Sequence, residues 1–165
     1  MTTPVPEEFG GCTPHIVVTA VDEAVDFYRR AFGADELVRT HSPDGRIWHC
    51  EILVAGSRLL LLEEYPEMGL AAPVRLGLTP VMLHLYVPDA DAVFARAVAA
   101  GGEAVMQPWD AFWGDRYCQV KDPSGHLWAI ASRREDLSVD EVRRRSAEYV
   151  AQHPSAPRAD TPPPA

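Results

Sequence analysis

The chain carries the same phrase twice. His15-Ile-Val-Val followed by Ala24-Val-Asp-Phe-Tyr-Arg-Arg-Ala-Phe-Gly33 recurs as His84-Leu-Tyr-Val followed by Ala92-Val-Phe-Ala-Arg-Ala-Val-Ala-Ala-Gly101. A duplicated unit builds its site from both halves, so the side chains at equivalent positions of each half decide its chemistry. Periodicity gives the content of one unit. Val21, Ala24, Val25, Tyr28, Ala31 and Phe32 fall at helical spacing with Gly33 as the stop. A short apolar strand over 13–19 precedes this helix. Three strands follow, near 36–40, 47–54 and 58–63, divided by the turns Ser42-Pro-Asp-Gly45 and Ala55-Gly-Ser57.

The second unit repeats that order. It has a strand over 81–87, a helix over 90–100, and strands near 104–107, 116–120 and 126–132, with Asp122-Pro-Ser-Gly125 as the last turn. The expected organisation is an N-terminal extension over 1–12, a first βαβββ module over 13–64, a Pro- and Gly-rich crossover loop over 65–80 and a second module over 81–132. A charged helix capped by Ser138 follows within 133–152, and the Pro/Ala-rich tail over 153–165 is expected to be disordered.

The composition narrows the partner. A formal charge of −9 argues against nucleic acid, whose binding relies on clustered Lys and Arg, and favours a small molecule. No apolar run is long enough to span a bilayer, and Met1 to Gly11 is polar rather than leader-like. Cys12, Cys50 and Cys118 form an odd set without CxxC spacing, which suits reduced thiols and a cytoplasmic location. Nucleophile-elbow, Walker and Rossmann phrases are all missing from the sequence.

The paired modules, the helix phrase Ala24 to Ala34 and the closing phrases Phe112-Trp-Gly-Asp-Arg-Tyr117 and Asp122-Pro-Ser-Gly-His-Leu-Trp128 resemble the vicinal oxygen chelate superfamily. That group contains glyoxalase I, extradiol dioxygenases, fosfomycin-modifying enzymes and bleomycin-binding resistance proteins. The resemblance covers about residues 13–132. It implies an α+β fold in which the two modules form a half-open, curved mixed sheet with helices on its outer face, plus a C-terminal helix. It also implies a homodimer, with pockets inside one chain or shared between two.

In the metalloenzymes of this superfamily, ligands come from the first and last strand of each module. The matching positions here are Thr13, Leu61, Met82 and Ala129, none of which is a donor for a divalent metal. The expected protein therefore needs no cofactor and binds an aromatic or conjugated small molecule, as in drug sequestration or self-resistance. The alternative is a lyase or isomerase of the same fold. Its fallback metal site would use His15, His84 and Glu51 to hold Zn, Ni, Mn or Fe. Its acid/base version would use His49 and Glu51, with the carboxyl raised in pKa by an apolar cup.

Strand alternation divides the pocket candidates by face. Trp48, Cys50, Ile52 and Val54 suit the helix-covered face of the third strand, leaving Ile47, His49, Glu51 and Leu53 for the other. The second-half counterparts are Asp115, Tyr117, Gln119 and Lys121. Tyr86 and Tyr117 are candidate donors to an oxyanion, and Trp109, Phe112 and Trp113 are candidate contacts for a planar ligand. With His15, His84 and Gln119 they complete the expected ligand-binding set. Arg116, beside Asp115, is expected to form a structural ion pair or turn anchor.

Overall fold

The computed structural model describes Pro4, Pro6, Phe9 and residues 11–153. The first half runs β1 (His15–Val18), α1 (Val21–Phe32), β2 (Asp35–His41), β3 (Ile47–Val54) and β4 (Ser57–Glu63). The second runs β5 (Met82–Tyr86), α3 (Ala90–Ala99), β6 (Glu103–Asp110), β7 (Asp115–Lys121) and β8 (Leu127–Arg133). Between them the crossover contains a 3-10 turn at Pro66–Met68 and a short helix, α2 (Pro73–Leu76). The chain closes with α4 (Val139–Gln152), whose N-cap Ser138 accepts from the Glu141 amide at 3.2 Å. Residues 154–165, where a disordered tail is expected, lie outside the described residues.

Each half makes its own four-stranded mixed sheet, in the orders β1-β4-β3-β2 and β5-β8-β7-β6. The first strand of each module pairs parallel with the last, as a crossover helix requires, and the other pairs are antiparallel. No ladder joins β1 to β5. The helices join the halves instead. Helices α1 and α3 pack together, and one apolar core takes Phe27 and Tyr28 from α1, Val93 and Phe94 from α3, Cys50 and Ile52 from β3, and Val120 and Ile130 from the second sheet. Cys50 and Cys118 are fully buried there, and burial pushes both thiols up to about 11, which makes them inert core fillers.

A polar hub crosses this core. The Asp122 carboxylate accepts from the Ser124 and His126 amides at 2.9 and 3.0 Å, from the Tyr28 hydroxyl at 2.6 Å and from Trp128 Nε1 at 3.0 Å. His126 Nε2 lies 2.8 Å from the carbonyl of Val17 on β1, and Ser124 Oγ accepts from the Thr19 amide at 3.2 Å. Gly125, at φ +91°, leaves no room for a Cβ, which would lie 2.5 Å from the Val74 nitrogen of α2. The turn between β7 and β8 therefore grips α1, β1 and the crossover at once.

Replacing Tyr28 with Phe removes one donor from a buried carboxylate. A hydrogen bond to a charged group carries about 1.5–3 kcal/mol, and urea unfolding of Tyr28→Phe is expected to show a loss in that range.

Candidate functional site

Each sheet has one face against the helices and one face turned away from them. On the first sheet the second face carries His15 on β1, His49 and Glu51 on β3, and Arg58 on β4. The alternation expected for β3 holds for Cys50, Ile52 and Val54, which are buried, and for His49, Glu51 and Leu53, which are not. The two ends of that set depart from it. Ile47 is buried, while Trp48 is 46% exposed and packs its ring against Tyr65 at 5.1 Å. A register shift between Thr40 and His41, opposite Ile47, accounts for the change of side.

His49 Nε2 lies 3.0 Å from Glu51 Oε1, and the guanidinium of Arg58 donates to Oε2. The Arg58 side chain is itself largely covered, with Phe9 4.7 Å from the guanidinium carbon. These contacts hold the Glu51 carboxyl below the usual carboxylate range, chiefly through the bond to His49 and then through that to Arg58. The expectation of a raised Glu51 is thereby corrected, because the hydrogen bonds from His49 and then Arg58 outweigh the effect of burial. The His15 and His49 rings meet edge to face at 5.9 Å. Burial, and then proximity to His49, lowers the pKa of His15.

The second sheet is aromatic where the first is charged. Its open face has a floor of two fully buried alanines, Ala129 and Ala131 on β8. They are flanked by Met82, His84 and Tyr86 of β5 and by Tyr117 and Gln119 of β7. The register places Tyr86, Ala131 and Tyr117 in one row and His84, Ala129 and Gln119 in the next. The small floor leaves depth that the rings fill. His84 lies 4.9 Å from Tyr86 and 6.1 Å from Tyr117, and Trp113 meets Tyr117 at 5.3 Å.

Two of these side chains are anchored on Asp115, which accepts from the Tyr86 hydroxyl at 2.6 Å and from Trp113 Nε1 at 3.0 Å. The Tyr86 hydroxyl is therefore committed to a carboxylate, which raises its pKa, rather than poised for an oxyanion. Gln119 Nε2 donates to the Tyr117 hydroxyl at 2.8 Å. Trp109 bridges Trp113 at 5.5 Å and Tyr149 of α4 at 5.9 Å, while Phe112 packs on Tyr149 at 5.2 Å. Trp113 thus belongs to the ring cluster over the alanines, Trp109 lies at its margin, and Phe112 packs between Trp113, at 4.9 Å, and Tyr149 of α4. Arg116 does form an ion pair, but with Asp91 at 2.9 Å and Asp110 at 3.3 Å rather than with its neighbour Asp115.

A crevice of about 680 Å³ separates the edges of the two sheets, lined among others by Thr13, Pro14, Arg58, Met82 and His84. Two of the four expected ligand positions, Thr13 and Met82, open onto it. Ala129 lies on the aromatic floor. Leu61 is fully buried and on the helix side of β4, so the open-face residue in its place is Leu60, opposite His15 as Ala129 is opposite His84. A hydroxyl, a thioether, a methyl and an isobutyl group do not make a divalent-metal site, and the shift from Leu61 to Leu60 leaves that unchanged. Among the described residues no group of three or more His, Cys, Asp or Glu side chains is placed to hold a metal. His15 and Glu51 stand beside His49, whereas His84 stands among the rings of the second sheet.

Sequence reasoning missed Arg58 and the anchoring role of Asp115. The turn at Ala55-Gly56 sets the pairing of Leu53 with Arg58, which leaves Glu51 diagonal to Arg58 on the same face. That contact was readable from the turn. Nothing local distinguishes the buried Asp115 from an exposed acid.

The family model of the glyoxalase/bleomycin resistance protein/dioxygenase superfamily matches residues 12–130. The uncharacterized protein Mb0911c of Mycobacterium bovis is 40% identical over 134 residues, covering 79% of this chain and 88% of its own. Among solved structures, TioX from Micromonospora sp. ML1 is 28% identical with a TM-score of 0.57, over 78% of this chain and 100% of its own. A gene product from Arabidopsis thaliana is 30% identical with a TM-score of 0.59, over 74% of this chain and 98% of its own.

The first sheet makes acid doubly destabilising. A lowered His15 pKa means that the unfolded chain takes the proton first, so its contribution is complete above pH 6.5 and declines as the pH falls below that value. Glu51 contributes above pH 4.5 and loses its contribution as the pH falls through its depressed value. A histidine NMR titration is expected to place His15 below 6.5, and thermal melts against pH to show a lower step that Glu51→Gln flattens. A His15 midpoint at or above 6.5 would contradict this reading.

Proposed function

The chain belongs to the glyoxalase/bleomycin resistance protein/dioxygenase superfamily, and we propose that within it this protein binds an aromatic or conjugated small molecule without a metal, in the manner of a drug-sequestering or self-resistance protein. The observation that carries this is the aromatic face of the second sheet. Tyr86, Trp113, Tyr117 and His84 stand over a floor of alanines, in a chain whose family-type ligand positions hold no donor. Flat rings with few rotors offer large contact area to a planar ligand at small entropic cost.

A pocket that binds a small molecule well encloses most of it, and one open sheet face does not. Met82 and Tyr86 remain 46% and 50% exposed on the second sheet, and Val38 is 44% exposed on the first. We assign the missing wall to a second copy, giving a homodimer. Free Cys12, Cys50 and Cys118 support a reducing, cytoplasmic setting. No helix among the described residues is long and apolar enough to cross a membrane.

The second reading is a lyase or isomerase, and the 3.0 Å contact between His49 and Glu51 favours it. In that chemistry His49 would carry the proton and Glu51 would orient it, since Arg58 and His49 hold the carboxyl ionised.

A screen of planar aromatic natural products by tryptophan fluorescence separates the two. Binding is expected to be saturable, unchanged by chelator and without product by mass spectrometry. Trp113→Ala is expected to weaken it by about tenfold or more, roughly 1.4 kcal/mol. Turnover lost in Glu51→Gln would instead establish the enzyme. Sedimentation velocity is expected to give a dimer.

A further inference from the structure

Among the described residues two carboxylates are buried, Asp115 and Asp122, with 3% and 4% of their surface exposed. They are satisfied differently. Asp122 receives two donors on each oxygen, the Ser124 and His126 amides on Oδ1 and the Tyr28 and Trp128 side chains on Oδ2. Asp115 receives two donors on Oδ2 alone, from Tyr86 and Trp113, and among the described residues no donor reaches Oδ1.

Among the described residues Asp115 also has no cation within the 4.0 Å of an ion pair. Arg116 is spent on Asp91 and Asp110, Arg134 lies 4.0 Å from Asp91, and Lys121 faces Glu103 at 3.6 Å. Arg133 is the register partner of Asp115 on β8, yet its guanidinium turns outward to Asp136 at 3.4 Å. It also interacts with the Tyr86 hydroxyl, the main cause of its own raised pKa, and acts on Asp115 only through space. Buried charges are normally paired, because removing an ion from water is expensive unless an opposite charge replaces the lost hydration.

We propose that Oδ1 of Asp115, with the rings of Tyr86, Trp113 and Tyr117, forms a subsite for a protonated nitrogen carried by the aromatic ligand, an amine or an amidinium. This rests on the binding reading above and gives the ligand a charge. The rings supply the quadrupole that attracts a desolvated cation, and the carboxylate supplies a charge-assisted hydrogen bond. The two neutral donors on Oδ2 lock the carboxylate, so Oδ1 is set before the ligand arrives. The net charge of −9 draws cations toward the protein over longer range.

The test uses two probes with the same three-ring frame, 9-aminoacridine, which is a cation at neutral pH, and acridone, which is neutral. Tryptophan fluorescence gives both affinities for the wild type and for Asp115→Asn, whose amide oxygen still accepts from Tyr86 and Trp113. The wild type is expected to prefer the cation by about tenfold or more, and the ratio to fall to about one in Asp115→Asn. Near-UV circular dichroism checks that the variant is folded, and the wild-type ratio carries the result if it is not. Equal wild-type affinities would overturn the cation subsite and leave the aromatic binding reading standing. A preference that survives in Asp115→Asn would remove Asp115 from it. Failure of both probes to bind would overturn the subsite and the binding reading together.

Discussion

The carboxylate of Asp122 carries the join between the two halves of this chain. It sits in the β7–β8 turn, organises that turn through two of its own amides, and then reaches across to the α1 hydroxyl of Tyr28. The same turn sends His126 to β1 and takes the Thr19 amide onto Ser124. Four hydrogen bonds make the buried charge tolerable, and the grip they create decides which surfaces remain free. With the helices turned toward each other, the opposite face of each sheet is left to function.

The duplicated faces have diverged. The first holds an ionic group, in which Glu51 is clamped between His49 and Arg58, and the second holds rings over alanines. The last strands hold Leu60 and Ala129 on the open faces, and the first-strand residues in the same rows are His15 and His84, which stand in separate groups, His15 beside His49 and His84 beside Tyr86. The room that the small Ala129 leaves is taken up by aromatic surface. On the proposed reading this face offers a ligand contact area rather than coordination chemistry.

Much of this was legible because the periods of helix and strand are strong signals. The apolar spacing of α1 marks Val21–Phe32, and the alternation in β3 marks Ile47–Val54. The resemblance carried by the helix phrase and the two closing phrases led to the right superfamily. Failures came where local pattern is silent. Strand β6 runs to Asp110, through Pro108, although it was expected to end near Gln107; it lies at the sheet edge, where a missing amide costs nothing, so the proline did not stop it. Leu61 faces the helices, and the pairing of His15 with Leu60 puts Leu60 on the open face instead. The sign of the Glu51 shift depends on its hydrogen bonds to His49 and Arg58 outweighing burial, and the burial of Asp115 depends on Trp113 and Tyr86 closing over it. Such contacts are tertiary, and composition does not encode them.

The central proposal is that this chain binds its ligand without a metal. Elemental analysis of untagged protein, after incubation with Zn, Ni, Mn or Fe and removal of free ions, tests it most directly. The account predicts metal far below one ion per chain in every case. Near-stoichiometric metal that disappears in His84→Ala would contradict it and restore a chelate enzyme with a displaced site.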